Sequence, residues 1–357
     1  MASTIYQIAT IAIYLCLFFG QLARINLFGQ SLPILDLLIV IFSVFNLFFH
    51  LLKKEKPTNI FFLIFVILSV FSFILNFQYF SFNSLFYQLR LTSIFLLLAY
   101  PPTIKNNQPW LIIALLSNII FGFIQYFFWP DFSYFKAFNW DPHQYRLVST
   151  FFDPTFTGIL YLFFILFLFL NKPKFWQILI GISYLAMSLT YSRSTYLALL
   201  IVTLFLEIFY HYRYLFIKTL LILSLTILLL PKVPGESTNL KRTSSIFAKI
   251  ENYQQAFKLS QKSPFFGLGY NNLKHFHSNP ESHASSGFDN SLLTLLITNG
   301  ILGIIPLLIG LFVWFNSSST YLKSILIALL IHSSFANSGL YLWVLVYLVL
   351  NQTKYRK

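Results

Sequence analysis

Apolar residues run through this chain in long blocks, broken by short clusters of polar residues, proline and glycine. A helix needs roughly 20 consecutive mostly apolar residues to cross a bilayer core, so the pattern predicts an all-α integral membrane protein. About twelve spans are read from the pattern. They lie near Thr4–Leu22, Leu32–Leu52, Asn59–Phe77, Ser84–Tyr100, Pro109–Trp129, Pro154–Leu170, Phe175–Thr190, Arg193–Tyr210, Tyr214–Leu230, Ser291–Phe315, Thr320–Ala336 and Ser338–Leu350. The first block lacks a basic leader, so it is expected to stay as an anchor. Residues 1–357 then form one polytopic domain with two long connections, 130–153 and 231–290. The first connection is rich in Phe, Trp and Tyr. The second contains Ile246, Ile250, Tyr253 and Phe257, the i, i+4, i+7, i+11 spacing of an amphipathic helix that lies at an interface or caps a cavity.

Composition narrows the class. Apolar residues make up 57% and charged residues 10%, and mean hydropathy is +0.72; soluble domains run near 45–50% and 25%. A soluble enzyme, a disulfide scaffold and a disordered chain are excluded, and Cys16 is the only cysteine. The net charge of +14 does not point to nucleic acid, because the basic residues are scattered between apolar spans. Their distribution sets an orientation instead. Connections after even-numbered spans and the C-terminal tail carry Lys53, Lys54, Lys56, Lys105, Lys172, Lys174, Arg213, Lys323, Lys354, Arg356 and Lys357. The other short connections and adjoining span ends carry Arg24, Arg90, Lys136, Arg146 and Arg193. By the positive-inside bias both termini are cytoplasmic and both long connections external.

Ionisable groups at span ends beside the external side are the candidates for chemistry. Asp153-Pro154 reads first as a helix start, with Asp at the N-cap and Pro at the first helical position. Arg146 either snorkels to headgroups or faces a ligand. Arg193, at the tight turn between two spans, has the same two readings; the functional one is a guanidinium fork aimed at phosphate oxygens. Arg242 heads the amphipathic segment. Arg90 lies about two turns inside the fourth span, a depth at which arginine faces a cavity or a partner. Residues 275–303 bring His275, His277, Glu281, His283 and Asp289 close together before an apolar span, but their spacing fits no standard metal pattern. Asp289-Asn290 either caps that span or presents a carboxylate as a general base. Gly267 and Gly269 suggest a tight turn, and Gly300 and Gly303 a close helix contact.

Taken in order, these elements resemble the O-antigen ligase/polymerase superfamily of bacterial envelope glycosyltransferases. Its Arg-x-x-Ser-x-Phe-x-x-Pro element is matched, with a one-residue tolerance, by Arg146, Ser149, Phe152 and Pro154. Its Leu-Thr-x-Ser-Arg span end is matched by Leu189, Thr190, Ser192 and Arg193. The external helix and Pro-x-x-Gly-x-Gly turn correspond to Arg242 through Pro264, Gly267 and Gly269. The closing His-Asn-x-x-Leu…Gly element resembles Asp289, Asn290, Leu293, Gly300 and Gly303. Ligases place His before that Asn, whereas Asp289 stands here, which leans toward the polymerase branch; His283 is the nearest histidine upstream. The resemblance implies a metal-independent glycosyltransferase without cofactor, multi-pass in the bacterial inner membrane, with its active site external. Its donor would be an undecaprenyl-pyrophosphate-linked glycan, and its expected partners are membrane lipid, a chain-length regulator and a flippase, with no nucleic acid. Arg146, Arg193, Arg242 and Arg90 would hold the pyrophosphate, and Asp289 or His283 would take the acceptor's proton. The alternatives are a ligase and, from another class, a transporter or flippase; transporters carry internal repeats and midplane sites, and no convincing repeat is found.

Overall fold

The computed structural model describes residues 2–102, 108–138, 142–233, 237–276 and 287–352. Apolar helices stand at each predicted block: α1 (Ala2–Phe19), α2 (Ile34–Leu52), α3 (Ile60–Leu75), α4 (Phe82–Ala99), α5 (Gln108–Phe128), α6 (Pro154–Asn171), α7 (Trp176–Ser188), α8 (Arg193–Tyr210), α9 (Leu215–Leu229), α11 (Ser291–Ser317), α12 (Thr320–Ser333) and α13 (Leu342–Gln352). Six of them, α2, α4, α5, α6, α8 and α11, are long and apolar enough to cross a membrane, and the others are shorter apolar helices. A polar helix, α10 (Ser244–Ser260), sits in the second long connection. One element was not expected in an all-α chain. A small antiparallel hairpin, β1 (Arg24–Leu27) and β2 (Gln30–Pro33), joins α1 to α2 with Leu27 opposite Gln30, and it trims the start of the second block to Ile34.

Helix ends follow local chemistry. Asp153 caps α6, its Oδ1 accepting from Thr155 N at 2.6 Å and Phe156 N at 3.1 Å with Pro154 next in line, as the Asp-Pro pair predicts. Ser192 caps α8, and Ser81 makes a capping box with Ser84. At α11 the cap is Asn290, whose side chain accepts from Leu293 N at 3.0 Å; Asp289 stays outside the helix with its carboxylate uncommitted to capping.

Burial separates centre from rim. Helix α6 is buried along nearly its whole length and α13 throughout Leu342–Asn351, so these uniformly apolar helices form the centre of the bundle. The rim helices turn apolar faces outward, with Ile41, Val44 and Phe48 on α2, Ile113 and Ile120 on α5 and Leu221, Leu225 and Leu228 on α9 all exposed. A broad apolar exterior around an equally apolar centre is the surface of a protein solvated by lipid.

Helix α11 is broken. Gly300 takes φ 66° and ψ −176° inside it, backbone that a side chain tolerates poorly. The main-chain groups freed there are taken up by the loop 264–269: Leu268 N donates to Ile297 O and Gly269 N to Thr298 O, both at 2.9 Å, while Ile301 N donates to Pro264 O at 2.8 Å. A Cβ on Gly300 would stand 2.1 Å from the Phe265 carbonyl oxygen, and one on Gly267 2.4 Å from the Thr298 carbonyl carbon. The close approach at Gly300 is thus helix to loop, which corrects the expectation of a helix–helix contact. It also fixes the place of Tyr270 and Asn271, which follow the loop directly.

The amphipathic segment behaves in two ways at once. Ala256 and Leu259 of α10 pack with Leu268, Leu273, Phe288 and Ile297 into a small second core. Phe247, Ile250 and Phe257 are exposed on the outward side, and Ile246 is exposed on the side of Arg242 and Lys249. Tyr253, the third member of the predicted stripe, instead donates its hydroxyl to Ser334 O and accepts from Asn290 Nδ2 at 3.3 Å.

Candidate functional site

Every other junction between apolar helices opens on the same hollow. The turns α1–α2, α5–α6, α7–α8 and α12–α13, with the first half of α4 and the connection carrying α10, contribute residues to one cavity of about 1080 Å³. Alternation of this kind means that the cavity lies at one end of the bundle. Arg90, Arg146, Arg193, Arg242 and Asp289 all line it. His283 lies outside the described residues, as do His277 and Glu281; His275 stacks on Tyr79 with ring centroids 5.4 Å apart.

Arg146 is placed by a polar scaffold on α5. Gln125 Oε1 accepts from Val148 N at 2.9 Å, and Ser149 Oγ donates to Asn118 O at 2.7 Å. Ser149 and Phe152 take positive φ of 51° and 57° in this tight segment. The segment is then tied to the α7–α8 turn, with Leu147 N donating to Leu189 O at 2.9 Å and Arg146 Nε to Thr190 O at 2.8 Å. Arg146 is only 6% exposed, which contradicts a side chain snorkelling to headgroups. Burial, then the nearby Arg242 guanidinium, pulls its affinity for the proton down to about 10, with Asp153 acting in the opposite sense. The cation is still charged at neutral pH, and the like charges around it make an anion welcome there.

Arg193 and Arg242 come from separate elements and are tied together through backbone. Arg193 Nη1 donates to Arg242 O at 2.9 Å and to Leu240 O at 3.3 Å, and Arg242 Nη1 donates to Ser237 O at 2.8 Å. Arg193 therefore has a second task beyond any ligand: it holds the loop that carries Arg242. Both side chains are half-buried at the cavity wall.

Arg90 is of another kind. Its Nε and Nη2 grip both oxygens of Asp36 at 2.5 Å each, and the Tyr87 ring lies 4.3 Å from its guanidinium carbon. Asp36 is 5% exposed. This is the structural pairing that the span position of Arg90 allowed, and it distinguishes Arg90 from the other three arginines although all four share the cavity.

Asp289 forms an ion pair with Lys249 of α10 at 3.2 Å, and its main-chain N donates to Asn252 Oδ1 at 2.9 Å. Lys249 also donates to Phe335 O, so α10 is pinned to the α11 start and to the α12–α13 junction. His143 approaches Asp153, with Nε2 4.0 Å from the Oδ2 not used in capping.

Sequence reasoning passed over Arg24, Asp36, Tyr87, Lys249, Tyr270 and Tyr341. For Asp36 a signal was present: a carboxylate inside the second span and an arginine inside the fourth each need a partner at membrane depth. For the others it was not, because a tyrosine or lysine in an aromatic, basic chain carries no positional information.

Among the described residues no group of three or more His, Cys, Asp and Glu is arranged to hold a metal ion. No curated protein matches the chain. Residues 178–308, the stretch from α7 into α11 that carries Arg193, Arg242 and Asp289, match the O-antigen ligase family model, and this supports the resemblance to the O-antigen ligase/polymerase superfamily.

Proposed function

We propose that the chain is a membrane glycosyltransferase that lengthens a surface polysaccharide from lipid-pyrophosphate-linked repeat units. The observation that carries this reading is the convergence of Arg146, Arg193 and Arg242 on one cavity, in a chain whose segment 178–308 matches the O-antigen ligase family. In the proposed reaction the acceptor hydroxyl attacks the anomeric carbon of the donor glycan. The new C–O bond forms as the bond from that carbon to the pyrophosphate oxygen breaks, and the electron pair leaves with the diphosphate. Arg146, Arg193 and Arg242 would stabilise the charge that grows on the leaving group. Asp289, held at the wall by Lys249, would accept the hydroxyl proton; His283 is the other candidate.

The proposal includes twelve membrane spans, cytoplasmic termini, an external cavity and metal-independent transfer in the bacterial inner membrane. A chain-length regulator and a flippase are the partners such an enzyme would work with. The test is reconstitution of purified protein with lipid-pyrophosphate-linked repeat units. A ladder of products on a gel supports polymerisation, and unchanged single units count against it.

A second reading is favoured by the family match itself, which is described as O-antigen ligase: transfer of the finished glycan to lipid A-core or another surface acceptor. A deletion strain separates the two. Single repeats on the normal acceptor indicate a lost polymerase; long chains stranded on the lipid carrier indicate a lost ligase.

A further inference from the structure

The cavity has two walls of different chemistry. On one are Arg146, Arg193 and Arg242, where two other guanidiniums act on Arg146 against one carboxylate. On the other, β1, α2, α4 and the loop after Gly269 bring together Arg24, Asp36, Tyr87, Arg90 and Tyr270. The bidentate grip of Asp36 neutralises Arg90, so of the two guanidiniums on this second wall only Arg24 adds to its net charge. A guanidinium has five N–H donors, and Asp36 takes two of them. Arg24 is held as a fixed donor, its Nε giving to Ser31 Oγ at 2.9 Å and its other nitrogens to Gln21 and to the Ser31 carbonyl. Tyr341 closes the wall, stacked on Phe156 at 3.9 Å.

Fixed planar donors, phenol hydroxyls and ring faces, with less net positive charge than the first wall, suit a ligand that is rich in hydroxyls and carries apolar C–H faces. That ligand is a sugar. The volume agrees, since about 1080 Å³ exceeds the roughly 300–1,000 Å³ typical of a pocket for one small ligand. Geometry then says which sugar. The donor's anomeric carbon is bonded to the diphosphate and must sit beside the three arginines. In a direct displacement the nucleophile enters away from the leaving group, and the second wall shares the cavity while none of its charged groups acts on Arg146.

We propose that the Arg24–Tyr87–Arg90 wall is the subsite for the acceptor glycan, binding a hydroxyl-bearing sugar residue independently of the diphosphate. This rests on the glycosyltransferase reading above, and the experiment separates the two. Purified full-length protein is titrated with inorganic pyrophosphate and, separately, with phosphate-free repeat-unit oligosaccharide hydrolysed from the host's own surface polysaccharide. Tyr87→Ala and Arg24→Ala should each weaken oligosaccharide binding at least tenfold and change pyrophosphate binding less than twofold. Arg146→Ala with Arg193→Ala should do the reverse. Tyr87→Ala leaves the hairpin bonds of Arg24 in place, so it keeps the test sound if Arg24→Ala misfolds. Oligosaccharide that does not bind, that binds Tyr87→Ala as well as the parent, or that is lost together with pyrophosphate overturns the proposal. Pyrophosphate binding indifferent to Arg146 and Arg193 overturns the functional reading and leaves the sugar subsite standing.

Discussion

At the scale of single residues, the five cavity arginines divide by what already holds them. Arg193 spends one nitrogen on the carbonyls of Leu240 and Arg242, a planar, multi-donor task that lysine cannot reproduce. Arg193→Lys should therefore lower transfer by about 100-fold or more, the usual cost of one lost transition-state donor, with protein level and export of carrier-linked units unchanged; a gel ladder and a membrane blot read the two. If export fails instead, a transporter or flippase is favoured. Arg90 answers to another rule, because breaking one partner of a buried pair leaves a stranded charge. Asp36→Asn should cost about 3–5 kcal/mol, read as a fall in thermal midpoint in detergent, whereas replacing both partners by apolar residues should recover most of it.

At the scale of elements, the site depends on a helix that is not continuous. The break at Gly300 is stabilised only because the loop 264–269 supplies the missing main-chain partners, and that loop delivers Tyr270 and Asn271 to the cavity. Gly300→Ala and Gly267→Ala each force a Cβ onto backbone. Either should lower the thermal midpoint and abolish transfer together, since the loop cannot withdraw without moving Tyr270. Helix α10 gives the second elemental prediction. Its exposed Phe247, Ile250 and Phe257 lie off the cavity that Ile246, Lys249 and Asn252 line, the arrangement of a helix lying in a lipid interface. Tryptophan placed at Phe257 should be quenched by brominated lipid in reconstituted membranes, and tryptophan placed at Asn252 should not.

At the scale of the whole molecule, alternation along the chain links topology to site. The short junctions that build the cavity carry few basic residues, and the intervening ones carry Lys53, Lys54, Lys172, Lys174 and Arg213; the long connection with α10 is outside this count, since long loops cross a membrane largely regardless of charge. A cysteine placed at Lys172 should be labelled by an impermeant maleimide only after the inner membrane is opened, and one at Lys241 in cells with that membrane intact. Labelling of both from the same side would refute the proposed orientation.

The positions of the apolar helices and the Asp-Pro start of α6 were legible in the sequence, because each is set by local composition or by residues one to three positions apart; at Asp289-Asn290 the sequence left capping open, and the structure gave it to Asn290. The hairpin at Arg24 was not, since a four-residue strand inside a polar gap has too little pattern to declare itself. The break at Gly300 escaped for a related reason: a glycine in an apolar run looks the same whether it meets a helix or a loop. Sequence alone thus determined that the chain is a helical membrane protein, which side its basic residues favour and which arginines stand at span ends. Only the tertiary structure decided that Arg90 belongs to Asp36, that Arg193 carries the loop of Arg242 and that one cavity has a strongly cationic wall and a partly neutralised one. Those pairings join residues 47 to 54 positions apart or more, and electrostatic partnership depends on distance in space, which spacing along a chain does not encode.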